Sequence, residues 1–188
     1  MQTGGATMMK RIALAGAGLA LLLGAQGWAA LPSGATAPMF STQAAKGGKA
    51  MAFNLRTALA KGPVVLYFYP KAFTQGCTLE ARAFAEAIGE FQAAGATVVG
   101  MSADDIDTLK RFSTEECGGK FAVGVASPAI IAAYDVALKR DGLPGGLSDR
   151  TSYVIAQDGR IVFVHSDLDY RDHVRLSLAA VKKLKSGK

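Results

Sequence analysis

The sequence predicts a mixed α/β sandwich, a central sheet flanked by helices. Three observations carry this reading: a continuous apolar run at Val64–Tyr69, strand and helix patterns alternating after it, and a hairpin signal at Gln157-Asp158-Gly159 ahead of a last helical pattern.

The chain from Leu31 to about Lys49 is rich in Gly, Ala, Ser and Thr and reads as an irregular or short-hairpin lead-in, with the core beginning after it. Val64-Val65-Leu66-Tyr67-Phe68-Tyr69, bounded by Pro63 and Pro70, has the composition of a strand buried on both faces and is expected to be a central parallel strand. From Cys77 onward Phe84, Ile88 and Phe91 recur at helical spacing until Gly95, so a strand-to-helix junction falls at Thr74 to Cys77. Thr97–Met101 is the next strand. It leads to a helix from Asp104 to about Cys117 carrying Ile106, Leu109 and Phe112, closed by Gly118-Gly119. Phe121–Ala126 follows as a short strand, and Ser127-Pro128 supplies an N-cap and a first-turn proline for a helix to about Tyr134. Thr151–Ala156 and Arg160–His165 form an antiparallel hairpin around the Asp-Gly pair. Asp169 is expected to cap a final helix with Val174, Leu178 and Val181 on one face.

Residues 1–29 have a different character. Lys10 and Arg11 precede an apolar run of 14 residues, Ile12–Ala25, and Gly27-Trp28-Ala29 places small residues at −3 and −1 of a cleavage before Ala30. This is the pattern of a secretory signal peptide, shorter than the roughly 20 residues of a membrane span. An uncleaved anchor is the alternative, and Met8 or Met9 is an alternative initiator. The expected mature unit is a single domain over 30–188, exported and periplasmic, with no stable membrane span. The whole chain carries a net charge of +6, and loss of Lys10 and Arg11 leaves +4. That balance does not point to nucleic acid. No Asp or Glu lies between Ala30 and Leu79, whereas Lys46, Lys49, Arg56, Lys61 and Lys71 do, so the approach to Cys77 is electropositive or merely carries solvated lysines.

The chain has two cysteines, Cys77 and Cys117. Their separations from His165 and His173 match no metal-ligand pattern, so neither a metal nor another cofactor is implied. A thiol reacts as its thiolate, which a helix N-terminus or a neighbouring cation favours. Cys77 falls at such a terminus, where unpaired backbone N–H groups would face its sulfur. Thr74 can turn its hydroxyl to the same point, and Pro70 stiffens the loop that delivers the thiol. The opposing reading is a buried structural cysteine.

Pro70-Lys71-Ala72-Phe73-Thr74-Gln75-Gly76-Cys77, continued by Thr78-Leu79-Glu80, resembles the active-site motif of the peroxiredoxins, the alkyl hydroperoxide reductase/thiol-specific antioxidant family. The likeness extends from Gly34–Phe40 to Arg150–Ile155 and is nearest to the Q-type, bacterioferritin-comigratory subgroup. It implies a thioredoxin-like fold and a thiol-dependent peroxidase that reduces hydrogen peroxide and organic hydroperoxides through a Cys77 sulfenic acid. Arg150 matches the arginine that reaches the peroxidatic sulfur. Glu80 could orient Arg150 or merely sit in the exposed first turn of its helix.

Three positions depart from the family pattern: Ala72 and Gln75 replace the Asp and Pro common in the loop, and Arg82 stands where the subgroup often has its resolving cysteine. Cys117 is then the internal candidate resolver, expected to form an intramolecular disulfide with Cys77 after oxidation; a structural Cys117 is the alternative. A dithiol carrier of unknown identity is the expected reductant, and monomer and homodimer both stay open. The other functional readings are a non-catalytic thioredoxin-fold binding protein, a single-cysteine peroxidase resolved by an external thiol, a disulfide reductase disfavoured by the lone sulfur at the helix start, and a Cys–His hydrolase lacking any local pattern.

Overall fold

A computed structural model describes residues 1, 2, 30–139, 142 and 145–187. Apart from Met1 and Gln2, the expected leader over 1–29 lies outside the described residues. The first strands, β1 (Ser41–Lys46) and β2 (Lys49–Asn54), pair antiparallel about Gly47-Gly48. A short helix, α1 (Leu55–Leu59), separates them from β3 (Val64–Phe68). Then α2 (Gln75–Ala93), β4 (Thr97–Ser102), α3 (Ile106–Glu115), β5 (Ala122–Val125) and α4 (Pro128–Ala133) alternate. The hairpin of β6 (Thr151–Ile155) and β7 (Ile161–Ser166), a turn of 3₁₀ helix at Tyr170–Asp172 and α5 (His173–Ser186) complete the chain. One sheet of seven strands runs β2-β1-β5-β4-β3-β6-β7.

β3 supplies the reason for the two layers. Every residue from Val64 to Phe68 is buried, and strand alternation sends Val64, Leu66 and Phe68 to one face and Val65 and Tyr67 to the other. On the first face they meet α1, α4, Tyr134 and Tyr153; on the second they meet α2, α3 and α5. Phe84 of α2 stacks on Tyr67 with centroids 4.3 Å apart. Burying a side chain of that size stabilises the fold by about 1.5–3 kcal/mol. The strand is parallel to β4 and antiparallel to β6, so the expectation of a parallel strand holds on one side alone.

The lead-in differs from its sequence reading. The hairpin it forms belongs to the sheet, and Ala44 and Ala45 are fully buried where β1 pairs with β5, so the core begins before Lys49. Small alanines give little hydrophobic contrast along β1, which hid its periodicity. Helix α1 has no counterpart among the expectations; at five residues it is too short for a periodic signal and starts on Asn54, whose side chain accepts from the Thr57 amide. Helix α3 begins at Ile106 with Asp105 as its cap, and Cys117 lies beyond its end, in the turn formed by Gly118 and Gly119 at positive φ. Ser127 caps α4 as expected, accepting from the Ile130 amide. Asp169 caps the 3₁₀ turn that leads into α5. Among the described residues no helix is long and apolar enough to cross a membrane.

Gly100 in β4 lies beneath Tyr67, and a Cβ there would come 2.7 Å from the ring's Cζ and Oη. With Phe84 stacked on it, the ring has nowhere to swing. Gly100→Ala is expected to destabilise the protein by about 1–3 kcal/mol, read as a lower urea midpoint at unchanged slope.

Candidate active site

Three strand ends converge on one corner of the sheet. Pairing of Phe68 with Thr151 and with Met101 brings the loop after β3, the residue before β6 and the end of β4 together. The loop from Pro70 is fastened there: the Ala72 amide donates to Oδ2 of Asp104 at 2.8 Å, an oxygen that also accepts from the Ser102 hydroxyl. Phe73 takes a left-handed conformation with φ of 63° and sets its ring edge-on to Phe112, with the Arg111 guanidinium over it at 5.0 Å. The Thr74 hydroxyl donates to the Lys71 carbonyl at 2.9 Å, closing the turn on itself. The sequence reading aimed that hydroxyl at the sulfur; the local acceptor three residues back takes it instead, as threonine does at turns. Thr74 is still the N-cap residue of α2, without a side-chain capping bond.

Cys77 is the third residue of α2 and is buried among Tyr67, Tyr69, Ala72 and Ala81. Arg150 reaches it from 73 residues away, its Nη2 donating toward Sγ at 3.4 Å. The guanidinium is held on two further sides: Nε donates to the Leu168 carbonyl at 2.8 Å, and Nη1 contacts Oε2 of Glu80. A Cβ on Gly76 would come 3.2 Å from Nη2, so the glycine leaves Arg150 its path to the sulfur. Sequence reasoning gave Gly76 no such role.

Glu80 agrees with one of its two sequence readings, contact with Arg150, and not with the other. It is fully buried rather than lying in an exposed helical turn, and it touches Arg150 directly. The exposed alternative rested on the macrodipole, which favours acids in a first turn; the helix instead turns this face inward. Burial pushes the Glu80 carboxyl up from 4.5 to about 8, against the pull of the Arg150 guanidinium. For Arg150 burial works against the charge, yet Glu80 and the Cys77 sulfur outweigh it and hold the guanidinium above its ordinary value.

His173, left without a partner by the sequence, stands behind Glu80. Its ring is fully buried, with Nδ1 2.8 Å from the Ser152 hydroxyl, Nε2 2.8 Å from the Asp167 carbonyl, and the His165 ring 4.6 Å away. Burial lowers its pKa to about 4. Ser152 and Glu80 are distant from it in sequence, and only the sign of a His early in α5 was available beforehand.

Cys117 is fully buried in the apolar layer that also contains Cys77, and both are free thiols. Burial drives the Cys117 thiol far above its ordinary range. Arg82, at the position where a nearby resolver was sought, bonds Glu116 at 2.7 Å and so ties α2 to the residue before Cys117. Among the described residues no group of His, Cys, Asp and Glu could hold a metal ion.

Residues 33–164 match the family model described as AhpC/TSA family. Peroxiredoxin Bcp of Xanthomonas campestris is 30% identical over 123 residues, which is 63% of this chain and 76% of that protein. The crystal structure of peroxidoxin BcpB from Mycobacterium tuberculosis superposes with a TM-score of 0.71 at 30% identity, covering 81% of this chain and 97% of the other. Xanthomonas campestris peroxiredoxin Q superposes at 0.67 with 28% identity, covering 76% and 90%.

The buried carboxyl generates a pH dependence. Above about pH 7.5, one pH unit past the ordinary value of 6.5 for histidine, His173 is essentially neutral in the unfolded chain as well and adds little slope; nearer 6.5 the unfolded imidazole still binds part of a proton and opposes the Glu80 trend. From about pH 7.5 to about 8 folded Glu80 keeps a proton that the unfolded chain releases. Stability therefore falls as pH rises through this window, by at most about 1.4 kcal/mol per pH unit. Urea unfolding across it is expected to show this decline, and Glu80→Gln to flatten it.

Proposed function

The chain belongs to the AhpC/TSA family and is a thiol-dependent peroxidase; on that premise we propose that Cys77 is the sulfur that attacks the hydroperoxide. The observation that carries this is Arg150 donating toward Cys77 Sγ in the first turn of α2. A guanidinium in that position stabilises negative charge on sulfur, and the unpaired amides of the turn add to it.

In the reaction the sulfur attacks the terminal peroxide oxygen, and the O–O bond breaks as the S–O bond forms. Sulfur is oxidised to a sulfenic acid. The remaining oxygen leaves with the bonding pair and takes a proton, giving water or an alcohol. Arg150 is the donor near the developing charge; removing such a donor costs on the order of 10²–10³ in rate. Thr74 and Pro70 act by shaping the loop, Thr74 through its bond to Lys71. Glu80 holds Arg150.

Cys117 is the proposed resolver. Its sulfur displaces the sulfenic hydroxyl as water and leaves a Cys77–Cys117 disulfide, which an external dithiol then reduces. Its complete burial favours a second reading, resolution of Cys77 by an external thiol. The basic and apolar pattern of residues 1–29 supports export, with Ala30 the expected N-terminus of the mature protein in a periplasmic fraction.

Stopped-flow mixing with hydrogen peroxide is expected to consume the Cys77 thiol rapidly and stoichiometrically; a rate no faster than a free thiol would refute the assignment. Arg150→Lys is expected to slow that step about 10²–10³-fold. Intact mass and peptide mapping after one equivalent of peroxide should give the intramolecular disulfide. A persistent sulfenic acid in the wild type would favour the external thiol.

A further inference from the structure

Glu80 has two oxygens in unlike situations. Oε2 meets Arg150, whereas Oε1 is buried with no hydrogen-bond partner and faces Nδ1 of His173 at 3.8 Å. A buried carboxylate oxygen without a donor is costly. The imidazole opposite is fixed in orientation. Its Nε2 lies against a carbonyl, that of Asp167, which only accepts, so Nε2 carries a hydrogen. In a neutral ring Nδ1 is then a lone pair, accepting from the Ser152 hydroxyl. Two electron-rich atoms thus lie close together in the interior, and a proton on either one turns that repulsion into attraction.

We propose that Glu80 and His173 together hold one proton in the reduced protein, which makes His173 a positioning residue for the Cys77–Arg150 pair. The pair is then neutral overall, and the Arg150 charge acts on the sulfur instead of being cancelled by Glu80. Without that proton, two anions, the sulfur and Glu80, compete for one buried cation. The groups facing the pair are consistent with this balance: Arg150 and Cys77 on one side, Tyr67 of β3 beneath Glu80, and His165 and Asp167 beside His173. The raised carboxyl and the lowered imidazole of these two residues place the proton nearer Glu80.

The inference rests on the reading of Cys77 as the reacting sulfur, but its test uses no peroxide. In the wild-type reduced protein at neutral pH, infrared absorption of a protonated carboxyl that vanishes in Glu80→Gln, with ¹⁵N shifts of a neutral His173 imidazole, is the expected result. A neutral imidazole together with an ionised Glu80 overturns the proposal. His173→Gln can keep the bonds to Asp167 and Ser152 yet cannot carry the proton. Alkylation of Cys77 by iodoacetamide at mildly acidic pH is expected to slow about tenfold in this variant, with its pH profile displaced upward. Adding Glu80→Gln should restore the rate. An unchanged rate in His173→Gln, or a double variant that stays slow, means that His173 braces the fold only and overturns the proposal. Loss of peroxide consumption with these results intact would instead count against the peroxidase assignment of Cys77.

Discussion

The Arg150 guanidinium, held in the interior by three partners, is the constraint on which the site depends. A cation there is expensive unless each of its donors is matched by an acceptor. Leu168 takes Nε, Glu80 takes Nη1, and the third direction is left for sulfur. The sulfur therefore receives a donor whose aim is fixed by the other two contacts. Lysine, a flexible point charge, could not hold those directions at once.

That arrangement exists because of strand register. Thr151 pairs with Phe68, so the residue before β6 and the loop after β3 emerge at the same end of the sheet. A slip of one residue would exchange the faces of β6 and carry Arg150 away from α2. The same register seats Ser152 against His173, and the Arg150 carbonyl accepts from the Asp167 amide. Site and hairpin are thus one piece of structure, and fully buried Tyr153 and Ile155 anchor it in the first core layer.

How much of this could be read beforehand depends on the range of the signal. Val64–Tyr69, the cap at Ser127-Pro128 and the Asp-Gly hairpin are local patterns, and each marks its element within a residue or so. Cys77 at a helix start was legible for the same reason. Arg150 was not: nothing near it in sequence distinguishes it from a loop cation, and only the likeness to the peroxiredoxins indicated it. Glu80 and His173 show the limit more sharply. Charge at a helix start read in one of two ways as a surface feature and the histidine matched no pattern, and their burial follows from α5 packing against α2 and β6, which no local pattern encodes. Thr74 was misread in the other direction, since a local hydrogen bond outcompeted the longer reach to sulfur.

The two sulfurs share an apolar layer, and this sets what a disulfide between them requires. Cys117 is a neutral thiol while buried, and a thiol attacks as its thiolate. Packed elements seldom bring Cα atoms within the roughly 7 Å that a disulfide needs. Where the gap is wider than that, joining them requires movement, and the segment after α3 is the place to look for it. The structure concentrates weak points there: α3 ends at Glu115, Gly118 and Gly119 hold positive φ, and the outer ties are single bonds, Arg82 to Glu116 and Lys120 to the Ala85 carbonyl. An ion pair with one exposed member contributes only about 0–1 kcal/mol. Against it stands the burial of Cys117 itself beside Tyr67 and Phe121. Opening is thus opposed mainly by apolar packing, together with the backbone bonds from the Cys117 and Gly119 amides to the Phe112 and Ser113 carbonyls.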